Sequence, residues 1–204
     1  MNDIRKGEWA CTVSGRKVWP LDPRPEDIHV EDFAHQLANI CRFGGACRGI
    51  YTVAEHCVRA SRLAHPDHML AALLHDASEA YIGDMIRPIK HGTDLGWYIE
   101  IESLWQSAFC TRFGLQDGAL EHPEVKRVDE IMLMTEKRDL LVKTEHVWGV
   151  AQGFSAQPME ARIFPLSPRE AHYKYLECFY DLTGTLGGKY SHHIAEMVSK
   201  TRKW

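Results

Sequence analysis

Apolar residues recur at helical intervals along most of the chain. The first such window begins near Glu31 and sets Phe33, Leu37, Ile40 and Cys41 on one face, with Gly44-Gly45 predicting its close. Thr52-Val53-Ala54-Glu55 has the form of a capping box and predicts a second helix running to about Ala64, ahead of Pro66. A third helix, capped by Asp67, carries the run Met69-Leu70-Ala71-Ala72-Leu73-Leu74 into His75 and Asp76. Residues 94–113 predict a fourth, with Trp97, Ile101, Leu104, Trp105 and Ala108 on its apolar face and Gly114 at its end. Residues 123–143 predict a fifth, opened by Pro123, with Val125, Val128, Ile131, Met132 and Thr135 in register. Ser167-Pro168-Arg169-Glu170 starts a further helix ending near Gly184, and a short terminal one follows from about Ser191.

The intervening stretches lack this period. Residues 1–26 form an irregular N-terminal segment of turns, with a short strand around residues 16–19. Residues 144–165, with Gly149, Gly153 and Pro158, read as a long loop or lid. Residues 27–184 make one helical domain and 185–204 a C-terminal extension. The expected class is all-α, a bundle of about six or seven helices.

Bulk composition narrows the function only slightly. With 204 residues and 45% hydrophobic positions the chain can bury a full core. A formal net charge of −4 leaves no electrostatic footprint for duplex nucleic acid or an acidic membrane, while a small anion remains within reach of local basic residues. Six cysteines (11, 41, 47, 57, 110, 178) without a Cys-x-x-Cys pair read as free thiols in a reducing compartment. Asp3, Arg5, Lys6 and Glu8 stand where a secretory signal needs apolar residues, and no run approaches a membrane span, so the expected location is cytoplasmic.

The candidate chemistry centres on His75-Asp76-Ala77-Ser78-Glu79. On a helix, neighbouring side chains diverge by about 100° and rise about 1.5 Å, so His75 and Asp76 can straddle one ion. Glu79, at i+4 from His75, shares its face and can reach a reacting water, and Asp84 follows just after Gly83. The same residues read equally as the polar end of an amphipathic helix. His56 on the second helix and Asp129 on the fifth complete a set of two imidazoles and two carboxylates, which suits a divalent metal in a bundle core. Twelve histidines make that spacing weak evidence by itself. Arg42 fits a helix C-terminal cation and Lys90 a solvated loop lysine, although guanidinium and ammonium groups are also chemically suited to phosphate. Phe43, Trp19 and Pro88 read either as an apolar slot for a base or as core. His35 reads as a pocket or half-buried residue, and His192-His193 as a surface pair. The phosphate-loop spacing fails at residues 184–190, and the His-Glu-x-x-His, Gly-x-Ser-x-Gly and zinc-deaminase patterns are absent.

Val53-Ala54-Glu55-His56, then His75-Asp76-Ala77-Ser78-Glu79-Ala80-Tyr81-Ile82-Gly83-Asp84, then Lys126-Arg127-Val128-Asp129 together resemble the HD-domain phosphohydrolases. The nearest branch is the 5′-deoxynucleotidase-like group, which includes phage-type enzymes acting on deoxynucleoside triphosphates such as dATP. The resemblance spans roughly residues 27–143. It implies His56, His75, Asp76 and Asp129 as metal ligands, Glu79 as general acid/base with Asp84 in support, and Arg42, Phe43, Pro88 and Lys90 around the substrate. The implied cofactor is a divalent ion (Zn, Co, Mn, Ni, Fe or Mg). The implied activity is dNTP hydrolysis, with dNMP hydrolysis or a non-catalytic nucleotide sensor as alternatives. The partners expected are a small nucleotide and further copies of the chain in a homo-oligomer, without duplex or membrane, in the cytoplasm of a bacterium or a phage-infected cell.

Overall fold

The computed structural model describes residues 4–92, 94–146 and 156–184. Its helices are α1 (Val30–Leu37), α2 (Val53–Leu63), α3 (Met69–Leu74), α4 (Glu79–Ile82), α5 (Arg87–Gly92), α6 (Gly96–Phe113), α7 (Pro123–Leu140) and α8 (Pro168–Thr183). One small antiparallel hairpin, β1 (Ala10–Cys11) with β2 (Lys17–Val18), precedes them. The all-α expectation holds. The terminal helix expected from about Ser191, the His192-His193 pair and the rest of residues 185–204 lie outside the described residues, as do residues 147–155 of the expected lid.

α2 lies at the centre, packed on α3, α7 and α8. It buries nearly every residue from Val53 to Ser61, including Glu55 and His56. Phe33 of α1 ties the far side together, meeting Phe109 and Phe113 of α6 and Tyr175 and Phe179 of α8 edge-on at 5.2–6.3 Å. The Tyr175 hydroxyl donates to Leu73 O at 2.8 Å, which pins the end of α3 to α8. Among the described residues no helix is long and apolar enough to cross a membrane. All six cysteines are free, and Cys57, Cys110 and Cys178 are buried.

Several element boundaries differ from the sequence pattern. α1 stops at Leu37 rather than at Gly44-Gly45, because residues 40–42 leave helical bonding to pair with residues 51–53. Arg42 N donates to Tyr51 O at 3.0 Å and Val53 N to Ile40 O at 3.0 Å, so Arg42 is laid beside the start of α2. Only half of the Thr52 capping box forms. Thr52 Oγ1 accepts from Glu55 N, but the Glu55 carboxylate holds Arg59 and Leu166 N instead. Asp67 caps nothing; His65 Nδ1 accepts from Asp67 N and caps the turn before α3. Residues 87–92, expected as loop, wind into α5. On α6, Ile101, Trp105 and Ala108 are buried as expected, but Trp97 and Leu104 are about half exposed (57% and 47%), because apolar residues of that helix are not gathered on one face.

The part of the 144–165 segment that is described is no free lid. Thr135 Oγ1 accepts from Met159 N, Arg138 donates to Met159 O and Ala161 O, and Asp139 accepts from Ile163 N. The strap then reaches α8, where the full capping box forms: Ser167 Oγ accepts from Glu170 N at 3.3 Å and Glu170 Oε2 from Ser167 N at 2.9 Å. Ser167→Ala should cost about 1 kcal/mol in urea unfolding.

Candidate metal centre

Three elements deliver the ligand-type residues. α2 presents His56, fully buried. The chain leaving α3 presents His75 and Asp76, and α7 presents Asp129, whose side chain is one-third exposed. His56 Nε2 lies 3.2 Å from His75 Nε2, 3.5 Å from Asp76 Oδ2 and 3.3 Å from Asp129 Oδ1. His75 Nε2 lies 3.2 Å from Asp76 Oδ2 and 3.9 Å from Asp129 Oδ1. Ligands at about 2.1 Å from one ion stand roughly 3.0–3.4 Å apart at octahedral or tetrahedral angles. Around His56 Nε2 the other three donor atoms stand at 3.2–3.5 Å, close to that range, while His75–Asp129 at 3.9 Å is longer.

The ring tautomers suit the same purpose. His56 Nδ1 meets Glu136 Oε1 at 2.6 Å, and His75 Nδ1 meets the Ala72 carbonyl at 2.8 Å. Both acceptors draw the ring proton to Nδ1, so both Nε2 lone pairs face the shared point. Two lone pairs 3.2 Å apart beside two carboxylates repel unless a cation or proton lies among them. The same charges set the proton affinities. Burial and the Arg42 charge oppose protonation of His56, yet Glu136 and Asp129 outweigh them and raise its pKa. Burial likewise opposes charge on His75, but Asp76 holds it well above the imidazole range. Burial favours a neutral Asp76, but His75, His56 and Arg42 hold it well below the carboxylate range, and Asp129 is lowered through His56 against its own burial. A proton and a divalent ion would compete for the same atoms. Cys57 also approaches His75 and Asp76, but burial pushes its thiol to about 11, which leaves it a poorer ligand than the carboxylates.

The route to Glu79 is not the continuous helix of the sequence argument. α3 ends at Leu74, and residues 75–78 turn through i→i+3 bonds: Ala77 N to Leu74 O, Glu79 N to Asp76 O and Ala80 N to Ala77 O. The tighter turn replaces the i+4 alignment and brings Glu79 inside at 9% exposure. Its Oε2 is buried with no hydrogen-bond partner among the described residues. Burial, then the Asp76 and Asp84 charges, raise its pKa well above the carboxylate range. Gly83, at φ +81°, ends α4 as expected and leads to Asp84, half-buried, whose pKa is raised by burial with Arg42 opposing.

The expected substrate contacts stand at different distances from this cluster. Arg42 is drawn into it: Nη1 donates to Asp76 Oδ2 at 3.1 Å and Nε to Glu136 Oε2 at 3.3 Å. Phe43 beside it is the one non-glycine residue at positive φ (+56°) among the described residues, a conformation that costs a bulky side chain energy, and its ring lies 5.5 Å from the Arg42 guanidinium. Lys90 pairs with Glu102 at 2.6 Å and lies 5.9 Å from the Tyr98 ring. Pro88 is exposed on α5. Trp19 lies under the Arg5 guanidinium in the N-terminal segment. His35 sits edge-on to His172 at 5.4 Å, and neither belongs to a ligand-type cluster among the described residues.

Glu136 is the residue that sequence reasoning missed. It is fully buried and serves His56, Tyr51 (2.9 Å) and Arg42 at once. Burial works against its charge, but Arg42 and His56 outweigh it and lower its pKa. The available signal was its place seven residues after Asp129, two turns along the same face of α7.

Comparison with known proteins adds kinship without chemistry. No family model matches the chain. The uncharacterized protein RCAP_rcc00048 of Rhodobacter capsulatus is 43% identical over 119 residues, covering 54% of this chain and 60% of that protein. The uncharacterized protein YfdR of Escherichia coli K12 is 36% identical over 172 residues, covering 84% of this chain and 94% of YfdR. At that identity across nearly the whole of YfdR, this chain belongs to the YfdR family.

Proposed function

We propose that this protein is a metal-dependent phosphohydrolase of the HD type, acting on deoxynucleotides. The observation that carries the reading is that His75, Asp76 and Asp129 each set a donor atom 3.2–3.5 Å from His56 Nε2, with the Glu79 Oε2 buried and unpartnered among the described residues. When bound there, a divalent ion would supply Lewis acidity toward a phosphoryl oxygen and acidify water. The imidazole–carboxylate set suits several first-row ions and selects none.

The chain's own residues divide the remaining work. Arg42 neutralises developing charge on the phosphoryl group through N–H groups beyond those that hold Glu136 and Asp76. Glu79 holds a proton at Oε2 and passes it between attacking water and leaving group. Asp84 raises the proton affinity of Glu79. The left-handed Phe43 turns its ring beside Arg42, where it can line the nucleoside side.

The pairing of Lys90 with Glu102 bears on the substrate. A triphosphate uses a second cation, and Lys90 would have to leave Glu102 to provide it. A single phosphoryl group needs only Arg42, so the geometry favours a deoxynucleoside monophosphate, with the triphosphate reading second. Metal analysis with a phosphate-release screen over dNMPs and dNTPs tests both. Lys90→Ala is expected to leave dNMP turnover within about twofold. A loss of ~1.5–3 kcal/mol in transition-state binding of dNTPs in that variant would instead favour the triphosphate.

A further inference from the structure

We propose that Glu136 is a positioning residue that sets both the metal-binding tautomer of His56 and the orientation of Arg42. The inference rests on the reading of His56, His75, Asp76 and Asp129 as a cation site. Glu136 and Glu55 make an informative pair, since both are carboxylates buried to within 1% exposure and both pack against α2 or belong to it. Glu55 spends its oxygens on Arg59 and on Leu166 N, and so fastens the strap before α8 to the bundle. Glu136 faces the other way. Its Oε1 accepts from His56 Nδ1 and Tyr51 OH, and its Oε2 accepts from Arg42 Nε.

Each contact has a consequence at the site. The short bond to His56 Nδ1 keeps the ring proton there and leaves Nε2 free to ligate. The bond to Arg42 Nε fixes the guanidinium plane, so that Nη1 faces Asp76. Only an acceptor at both oxygens can do this. A glutamine at 136 would set its NH2 against one of two N–H donors. Against His56 it would favour the tautomer with the proton on Nε2, which blocks the metal; against Arg42 it would turn the guanidinium away. Tyr51, whose hydroxyl both donates and accepts, adapts to either.

The test compares Glu136→Gln with Glu55→Gln in the full chain. Co(II) affinity is read by visible absorption with chelator competition, inorganic phosphate affinity by NMR titration, and fold by circular dichroism and thermal melting. For Glu136→Gln, Co(II) affinity should fall about 10–100-fold, the ligand-field bands should shift, and phosphate affinity should fall with it. Glu55→Gln should lower the melting temperature and leave Co(II) affinity within about twofold. Wild-type Co(II) affinity and bands in a folded Glu136→Gln protein would overturn the proposal. Should that variant not fold, ¹⁵N NMR of the Zn-loaded wild-type protein decides: His56 must carry its proton on Nδ1, and a proton on Nε2 refutes the role. Wild-type protein that binds Co(II) but hydrolyses no nucleotide would defeat the proposed reaction and leave the Glu136 comparison intact. Wild-type protein that binds no Co(II) would defeat both.

Discussion

Asp129→Ala is expected to lose bound metal and phosphohydrolase activity together. Asp129 is the ligand-type residue that α7 contributes, with Oδ1 at 3.3 Å from His56 Nε2. Its side chain is one-third exposed, so truncation opens no core cavity and the bundle should stay folded. His56→Ala would be a poorer test, because that ring is fully buried and its removal disturbs packing as well as ligation. Loss of a direct ligand should exceed the ~10–100-fold typical of the residues behind the ligands. On the proposed function, dialysis against a chelator should stop hydrolysis by the wild-type protein, and restoring the ion should revive it, whereas Asp129→Ala should not be revived. Because protons bind the same atoms, metal affinity should weaken as pH falls through the raised imidazole values. Full metal occupancy in a His75→Ala/Asp76→Ala protein would refute the ligand assignment.

The helices with chemical punctuation were legible before the structure. Thr52, Gly114, Pro123 and the Ser167–Glu170 pair each mark a terminus by a local hydrogen bond or a φ preference, and α2, α6, α7 and α8 start or stop there within about three residues. α1 was misjudged because Gly44-Gly45 has the chemistry of a helix stop. What ends α1 is pairing of residues 40–42 with 51–53, a contact between segments that no local signal announces. The face of α6 was illegible for another reason: with Trp97, Ile99 and Leu104 apolar on the exposed side as well, period alone cannot choose which side is buried.

The candidate site divides in the same way. Residue types suggested His56, His75, Asp76 and Asp129, and the structure sets the last three within 3.5 Å of His56 Nε2, though residues 75–78 get there by a tight turn rather than by helical periodicity. Glu136 was hidden because a charged residue on a helix is by default a solvated one. Its burial makes sense only through partners 80 and 94 residues away, His56 and Arg42. Arg42 and Lys90 were both candidate phosphate contacts as sequence, Arg42 the stronger of the two. Their partners separate them, since one lies against the ligand cluster and the other against Glu102.

Glu79→Gln should behave differently from every ligand variant: metal stays bound while turnover falls by roughly 10²–10⁴-fold. Glutamine matches glutamate in volume, so the buried side chain can keep its place without creating a void. What it cannot do is give up and recover a proton at Oε2, the oxygen that finds no partner among the described residues. The loss should therefore fall on kcat, with KM and Co(II) affinity within a few fold of wild type. Stability should move the other way. Burial, with Asp76 and Asp84 nearby, raises the folded-state pKa of Glu79 above its unfolded value. Such a carboxyl contributes stability that is fully present below the unfolded value of about 4.3 and is lost as pH rises through the folded one. At neutral pH the metal-free wild-type protein thus bears a cost that an amide avoids. Metal-free Glu79→Gln should melt at the same temperature or higher at pH 7–8, and this advantage should vanish near pH 4. A variant that turns over normally would remove Glu79 from the reaction. One that loses metal would make it a ligand instead, and a melting temperature lowered by several degrees at pH 7 would mean that the carboxylate, rather than the protonated acid, is the form the fold prefers.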